Sequence, residues 1–257
     1  VYKRQEYKSS NASNGGTQCF PLYSYDEDGS NRRDNITDWA LSQFRARYGD
    51  ETITKADIFY YVYGMLHHPE YRRKFADVLK RELPRLPFVG EDTDAKSPLQ
   101  PMERGFRGEV FWQFVEAGRK LADLHVNYET AAPYPLEAHY APNAPAREVY
   151  RVKDKMRLDK TRTVVTVNPH LSLRGVPPEA FAYKLGSLSA LEWVLERYAV
   201  KKDGETVTSD PNRWRTSVND DGERYIVELV KRVVTVSVET VKIVAALPAA
   251  FGVDLTP

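Results

Sequence analysis

The sequence predicts an α+β protein: a helical N-terminal half, then a small β-sheet with flanking helices, and a long C-terminal helix. Apolar residues recur at helical spacing between residues 36 and 130. Residues 163–167 are all β-branched, which is typical of a buried strand. Residues 223–247 contain no turn residue, and this length favours a helix although residues 233–238 also resemble a strand.

Composition divides the chain into three parts. Residues 1–35 are rich in Ser, Asn, Gly and Asp, and we interpret them as a linker or the start of a fragment, since the chain opens on Val1. Residues 36–130 form a predicted helical subdomain, and residues 131–257 a predicted α/β subdomain. Four prolines within residues 131–146 predict an irregular connection between the two.

N-capping residues place the first two helices. Thr37 or Asp38 begins a helix that ends at Gly49. Thr54 begins the second, with Asp57 in the position of a capping-box Glu but one carbon shorter. The predicted apolar anchors are Trp39, Phe44 and Tyr48 in the first helix and Ile58, Phe59, Val62, Met65 and Leu66 in the second. Gly64, beside Tyr60 on the opposite side, predicts close approach of another backbone.

Two further helices are predicted in the first half. Pro69 suits the first turn of a helix that Pro84 and Pro87 end. Residues 89–103 are a predicted polar loop, and a helix of more than six turns follows. The predicted inward stripes are Tyr71, Phe75, Val78, Leu79 and Leu83 in the first of these helices and Phe106, Val110, Phe114, Ala117, Leu121, Leu124 and Tyr128 in the second.

The second half begins with strands and ends with helices. Alternation predicts a strand at residues 148–152, before the β-branched strand at 163–167. Pro177 and Pro178 open a short helix near Tyr183. Ser189 caps another helix, whose apolar residues are Leu191, Trp193, Val194 and Tyr198. Residues 201–222 are a predicted polar loop.

Several function classes lack support in the residues. Cys19 is the only cysteine, so an internal disulfide is impossible, and a reducing, cytoplasmic compartment is expected. The chain has no membrane-length apolar run, no Gly-rich phosphate loop and no Gly-x-Ser-x-Gly elbow. No metal-ligand spacing accompanies the adjacent His67 and His68, which we interpret as a helix junction before Pro69. We therefore predict no catalytic site, no metal site and no cofactor in this segment.

Positive charge is concentrated in two places, although the net charge of the chain is only +1. Residues 71–85 (the first basic segment) and residues 147–162 (the second basic segment) each carry a local net charge of +4. Basic side chains beside aromatic ones suit nucleic acid, because Arg and Lys meet phosphates and rings stack on bases. A solvated helix face or strand edge is the alternative for either segment.

The best local candidates for contacting nucleic acid lie in the second half. They occupy the second basic segment, the loop around Trp214 and a further predicted loop that holds Arg174. As a set, the candidates are Arg151, Lys153, Lys155, Arg157, Lys160, Arg162, Arg174, Arg213, Trp214 and Arg215.

Five longer stretches resemble, in order, the C-terminal region of single-chain type ISP restriction–modification enzymes. They are residues 35–39 (Asn-Ile-Thr-Asp-Trp), 57–67 (Asp-Ile-Phe-Tyr-Tyr-Val-Tyr-Gly-Met-Leu-His), 83–88 (Leu-Pro-Arg-Leu-Pro-Phe), 189–198 (Ser-Ala-Leu-Glu-Trp-Val-Leu-Glu-Arg-Tyr) and 231–240 (Lys-Arg-Val-Val-Thr-Val-Ser-Val-Glu-Thr). The resemblance runs from about Phe20 to Pro248, nearly the whole chain. The chain therefore resembles the target-recognition domain of such an enzyme.

The resemblance implies a role in a larger polypeptide that joins a nuclease, an ATP-driven motor and an adenine-N6 methyltransferase. S-adenosylmethionine, ATP and Mg would then be used elsewhere in that enzyme. The expected partners are double-stranded DNA and the upstream methyltransferase domain, with no membrane. Asn168-Pro169 continues as His170-Leu171, so the Asn-Pro-Pro-Tyr motif of amino-methyltransferases is absent. The alternative is a scaffold that docks onto the methyltransferase and motor domains with minor DNA contacts.

Overall fold

The computed structural model describes residues 20–89, 101–213 and 222–248, apart from the side chains of residues 101–107. The chain divides into two compact units. The first unit contains the described residues up to Arg119 together with Leu247 and Pro248, and the second unit runs from Lys120 to Ala246. Helices and antiparallel strands both contribute, which confirms the predicted α+β class. The predicted division into subdomains at residues 35 and 130 stays a prediction.

A two-stranded ribbon and four helices build the first unit. The strands are β1 (Tyr23–Ser24) and β2 (Arg33–Asp34), and the helices are α1 (Asp38–Tyr48), α2 (Lys55–His67), α3 (Pro69–Lys74) and α4 (Pro101–Val126), whose last residues belong to the second unit. Aromatic side chains dominate its core. The ring centres of Phe44, Tyr61 and Phe111 lie within 6 Å of one another.

Helix α1 begins and ends where the sequence predicts. The Thr37 hydroxyl accepts a hydrogen bond from the Ala40 amide, and Gly49 adopts the left-handed conformation at φ 67°. Phe44 and Tyr48 are buried. The prediction that Trp39 is an anchor is wrong, because its side chain is 73% exposed. Trp39 lies five positions before Phe44, so the two side chains point roughly 140° apart around the helix axis.

Helix α2 forms the full capping box despite the shorter side chain of Asp57. The Asp57 carboxylate accepts a hydrogen bond from the Thr54 amide at 2.9 Å, and the Thr54 hydroxyl accepts one from the Asp57 amide at 3.2 Å. Its inward face differs from the prediction, since Tyr61 is fully buried whereas Phe59, Val62 and Leu66 are only half-buried. The cause is the predicted close approach at Gly64, which is confirmed: a Cβ atom there would lie 2.6 Å from the Phe114 carbonyl of α4.

Helix α3 is shorter than predicted. It ends at Lys74, and only irregular turns follow, so the prediction of a helix extending toward Pro84 is wrong. Tyr71 is buried, but Val78 and Leu83 of the predicted stripe are exposed. Without a core beneath them, these residues provide no packing energy to extend the helix.

A four-stranded antiparallel sheet and two helices build the second unit. In chain order its strands and helices are β3 (Glu137–Tyr140), β4 (Arg157–Leu158), β5 (Val164–Asn168), β6 (Leu171–Arg174), β7 (Lys184–Leu185), β8 (Leu188–Ser189), α5 (Ala190–Arg197), β9 (Lys201–Asp203), β10 (Thr206–Ser209) and α6 (Tyr225–Ala245). The sheet order is β3-β6-β5-β4, and β7–β8 and β9–β10 form separate pairs. The apolar face of the sheet shares one core with α5 and α6.

Most secondary-structure predictions for this half are confirmed. Strand β5 lies within one residue of the predicted strand, and the long C-terminal segment is helical as its length indicated. Ser189 caps α5 in a capping box with Glu192. The short helix before Tyr183 is a 3-10 helix at Pro178–Phe181.

Three predictions for the second half are wrong. The connection at residues 131–146 contains strand β3, which pairs with β6 along its whole length. Residues 148–150 form turns and residues 151–152 have no regular structure, because the carbonyls of Glu148, Val149 and Arg151 bond the side chain of Asn168. The predicted loop at 201–222 contains the β9–β10 hairpin, whose turn holds Gly204 at φ 57°.

Candidate nucleic-acid interface

The four-stranded sheet presents a polar face opposite its apolar one. Val165 and Leu173, which pair across β5 and β6, are fully buried, whereas the neighbouring Thr166 is exposed. Side chains that pair across antiparallel strands share one face. The outward face therefore carries two rows, which are Arg157, Thr166, Ser172 and His139 in the first and Val164, Arg174 and Glu137 in the second. We call this surface the outer sheet face.

The turn between β4 and β5 is held by one carboxylate. Asp159 accepts hydrogen bonds from the amides of Thr163 and Val164, each at 2.9 Å, and from the hydroxyl of Thr161. The Thr161 hydroxyl first, and the amides after it, lower the pKa of Asp159. Arg162 closes the turn at φ 60°. The exposed Lys160 lies in this ordered turn.

Two asparagine side chains order the start of the second basic segment. The amide nitrogen of the buried Asn168 donates to the carbonyls of Val149 and Arg151, each at 2.8 Å, and to that of Glu148 at 3.3 Å. Asn212 bonds both backbone groups of Val152, at 2.8 and 2.7 Å. The Asn-Pro dipeptide noted in the sequence therefore supports the fold locally.

Most candidate cations of the second basic segment lie beside carboxylates. The pairs are Arg151–Asp210 at 3.5 Å, Lys153–Glu148 at 2.6 Å, Lys155–Glu196 at 3.0 Å, Arg157–Asp154 at 3.2 Å and Arg162–Glu192 at 2.8 Å. Exposed pairs of this kind contribute only about 0–1 kcal/mol each. They can therefore open, but the adjacent carboxylates reduce the positive potential that a phosphate would meet.

Arg162 is the most constrained of these cations. Its guanidinium lies 4.0 Å from the centre of the Phe181 ring and also binds Glu192. Glu192 in turn caps α5 through Ser189. Arg162 thus ties the β4–β5 turn to helix α5, which makes it a structural contact as well as a candidate for binding.

The remaining candidates fall into three groups. Lys160 and Arg174 are exposed and form no ion pair in the part of the chain that the structure describes. Arg213 is exposed and lies 3.8 Å from Asp210, the carboxylate that also meets Arg151. Trp214 and Arg215 lie outside the described residues. The binding role of the whole candidate set stays a prediction.

Sequence reasoning missed a cluster at the other end of the sheet. The hydroxyls of Tyr140 and Tyr150 lie 3.4 Å apart, and the Arg224 guanidinium lies 5.1 Å from the centre of the Tyr150 ring. The hydrogen bond between the two hydroxyls raises the pKa of Tyr140. Arg224 lies more than 70 positions after the two tyrosines in the sequence, so no local pattern signals this cluster. Alternation in β3 could have indicated His139 had the strand been recognised.

The described residues offer neither a metal site nor a membrane-spanning helix. Over residues 20–89, 101–213 and 222–248, no three His, Cys, Asp or Glu side chains are grouped so that they could hold a metal ion. None of the helices within those ranges has both the length and the apolar character needed to cross a lipid bilayer.

Comparison with known families identifies a specificity domain. The model described as the Type ISP C-terminal specificity domain matches residues 5–229. The comparison with curated proteins finds no match.

Three solved structures that share this fold contain DNA or a DNA substrate mimic. A cryo-EM DrdV–DNA complex is 38% identical over 90% of this chain, with a TM-score of 0.67. A nuclease-deletion mutant of the Type ISP restriction–modification enzyme LlaGI, in complex with a DNA substrate mimic, is 30% identical over 89%, with a TM-score of 0.63. The ATP-dependent Type ISP enzyme LlaBIII bound to DNA shares the fold at 24% identity over 89%, with a TM-score of 0.67. This chain spans 21%, 18% and 13% of their respective lengths.

Proposed function

Because the chain belongs to the family of Type ISP C-terminal specificity domains, we propose that it recognises a specific sequence in double-stranded DNA. The single observation that carries this proposal is the family match over most of the chain. The DNA-bound states of DrdV and LlaGI, at 38% and 30% identity, support it. A specificity domain must hold the duplex through its phosphates and distinguish base edges.

The outer sheet face suits the second of these tasks. Arg174 can donate two hydrogen bonds to guanine, and the hydroxyls of Thr166 and Ser172 can contact either base type. A two-stranded ribbon such as β4–β5 fits the major groove, and Lys160 at its tip can meet a phosphate. Arg157 lies in the same row as the two hydroxyls but must leave Asp154 to reach DNA.

The chemistry of restriction and methylation is proposed to lie elsewhere in a longer polypeptide. This segment would act without catalysis, and an upstream methyltransferase domain would receive the adenine of the chosen site. An enzyme that modifies a base must take that base out of the helix, so a recognition domain has to position the duplex accurately. S-adenosylmethionine, ATP and Mg would serve those other segments, in the cytoplasm where the DNA is found.

The internal ion pairs of the second basic segment favour one alternative. A surface whose cations already meet Glu148, Asp154 and Glu196 could serve mainly to dock onto neighbouring domains. In that case the isolated chain would bind DNA weakly and without sequence preference.

Selection from a random duplex library distinguishes the two functions. The 257-residue chain is incubated with the library at low salt, bound duplexes are sequenced, and the enriched duplex is titrated at two salt concentrations. The proposal expects one enriched sequence, and affinity that falls as salt rises because phosphate contacts release counterions. Absence of binding at low salt, or salt-sensitive binding without any enriched sequence, would contradict it.

A further inference from the structure

The first basic segment, at residues 71–85, keeps cations that the fold does not pair. Arg72, Arg73 and Arg81 are exposed, and within the described residues none of their side chains forms a hydrogen bond or an ion pair. Two neighbouring cations do pair locally. Lys80 lies 3.0 Å from Asp77, and Arg85 lies 3.6 Å from Glu82.

The backbone beneath these arginines is fixed by buried groups. Tyr71 is fully buried, and its hydroxyl donates to the Arg85 carbonyl at 2.9 Å. The buried His68 accepts a hydrogen bond from the Tyr71 amide at 3.5 Å and donates to the Pro248 carbonyl at 3.1 Å. Arg72 and Arg73 follow Tyr71 directly in α3. The two arginines therefore project from an anchored turn, which lowers the entropy lost on binding.

The acidic residues of the segment do not cancel its charge. Asp77 and Glu82 are already matched to Lys80 and Arg85, so the three arginines remain in excess. A duplex presents one negative charge per roughly 1.7 Å of axis, which makes it a strong partner for exposed cations without carboxylate partners. The planar guanidinium group also matches a phosphate with two parallel hydrogen bonds.

We infer that Arg72, Arg73 and Arg81 form a second DNA contact, one that binds backbone phosphates and does not read sequence. The inference requires that the chain binds duplex DNA, as proposed above, but not that it distinguishes sequences. DNA is favoured over an acidic protein surface because the DrdV and LlaGI structures, at 38% and 30% identity, are complexes with DNA and with a DNA substrate mimic. Binding to phosphate alone is expected, since arginine side chains without ordered partners carry no fixed geometry for base edges.

The test compares two triple variants that remove the same charge. One variant carries Arg72→Gln, Arg73→Gln and Arg81→Gln. The control carries Lys80→Gln, Arg85→Gln and Lys242→Gln, three exposed cations that each lie beside a carboxylate. Affinity for the enriched duplex and for a shuffled duplex is measured by fluorescence anisotropy at several salt concentrations. Thermal unfolding of both variants checks that they remain folded.

The arginine variant should flatten the dependence of log K on log salt by about 0.9 for each lost contact, up to roughly 2.7. Its affinity should fall by the same factor for the enriched and the shuffled duplex. The control should change the slope by less than half as much. A slope equal to that of the unmodified chain, or equal shifts in both variants, would overturn the inference.

Two further outcomes separate this inference from the proposed function. If salt-sensitive binding depends on the arginines but no sequence is preferred, the phosphate contact stands and sequence recognition fails. If the arginine variant binds both duplexes normally but no longer binds a methyltransferase segment, the surface serves a protein, and the phosphate contact is overturned. A folded, unmodified chain that binds no duplex at the lowest salt would overturn both.

Discussion

The two basic segments carry the same charge in the sequence and differ in how the fold uses it. In the second basic segment, Lys155 and Arg162 meet carboxylates from distant helix α5, and Arg151 meets Asp210. In the first, Arg72, Arg73 and Arg81 stay unpaired in the described structure. The difference shows that local charge in a sequence does not measure the charge available to a partner. Tertiary contacts decide which cations remain free to bind.

The largest expected effect concerns the buried amide that orders the second basic segment. Asn168→Asp would place a carboxylate against three carbonyl oxygens and should destabilise the second unit by roughly 3–5 kcal/mol. Denaturant unfolding followed by circular dichroism measures the loss. Asn143→Asp, at an exposed turn with φ 59°, is the control and should change stability by less than about 0.5 kcal/mol.

The same variant makes a prediction about pH. A buried carboxyl among carbonyls would have a raised pKa, so the folded state would hold its proton more tightly than the unfolded state. The loss of unfolding free energy in Asn168→Asp, relative to the unmodified chain, should therefore shrink as pH falls toward about 4. A loss independent of pH would contradict the arrangement described for Asn168.

The scaffold of the first basic segment depends on close contact between α2 and the part of α4 in the first unit. In Gly118→Ala the new methyl group would collide with the Tyr60 carbonyl, which should destabilise the unit by about 1–3 kcal/mol. Gly108→Ala, in the same helix but with open space around it, should be neutral or stabilising by up to about 1 kcal/mol. Equal unfolding midpoints for the two variants would show that the helices are not in contact there.

The junction that anchors Arg72 and Arg73 should weaken in mild acid. Burial lowers the pKa of His67 and of His68, with Arg72 adding to the effect at His67 and Glu70 opposing it at His68. Both histidines are thus neutral in the folded state and bind protons more readily when unfolded. Their contribution to stability is present above pH 6.5 and is lost as pH falls below that value.

Hydrogen exchange of α2 and α3 amides at pH 7 and pH 5, corrected for the intrinsic rate, measures this change. The amides should lose protection at the lower pH. A variant with His67→Gln and His68→Asn, which keeps a capping side chain before Pro69, should lose less. The same loss of protection in both proteins would assign the acid sensitivity to other groups.

The smallest effect is expected within the second basic segment itself. Lys160→Gln removes an unpaired cation and should flatten the salt dependence of DNA binding by about 0.9. Lys155→Gln removes a cation that lies 3.0 Å from Glu196 and should have a smaller effect. Anisotropy titrations of the two single variants compare them directly. A larger effect at Lys155 would mean that DNA displaces the carboxylate, and the contrast between the two segments would lose its basis.

Features set by neighbouring residues could be predicted from the sequence. Thr37, Thr54 and Ser189 cap helices where their side chains reach the next turn, and these positions were predicted correctly. The length of the C-terminal segment correctly predicted helix α6, although its many β-branched residues also suit a strand. Gly64 correctly predicted a close backbone contact, although the sequence alone did not identify α4 as the partner helix.

Features set by distant residues could not be predicted. Which carboxylate meets Lys155 depends on a residue 41 positions away, and periodicity carries no information about it. Residues 148–152 depart from the predicted strand because Asn168, 17 to 20 positions later, donates hydrogen bonds to three of their carbonyls. The end of α3 at Lys74 depends on where the core stops. The sequence therefore indicates the region of the candidate interface, whereas only the fold shows which of its cations are unpaired.

Arginine footprinting tests the central claim most directly. The chain is treated with phenylglyoxal, with and without its enriched duplex, and modification at each arginine is measured by mass spectrometry. If DNA is contacted by the cations that the fold leaves unpaired, then Arg72, Arg73, Arg81 and Arg174 should lose reactivity in the complex. Arg151 and Arg162, held by Asp210 and Glu192, should change little. Protection of Arg151 and Arg162 with unchanged reactivity at the four unpaired arginines would contradict the account.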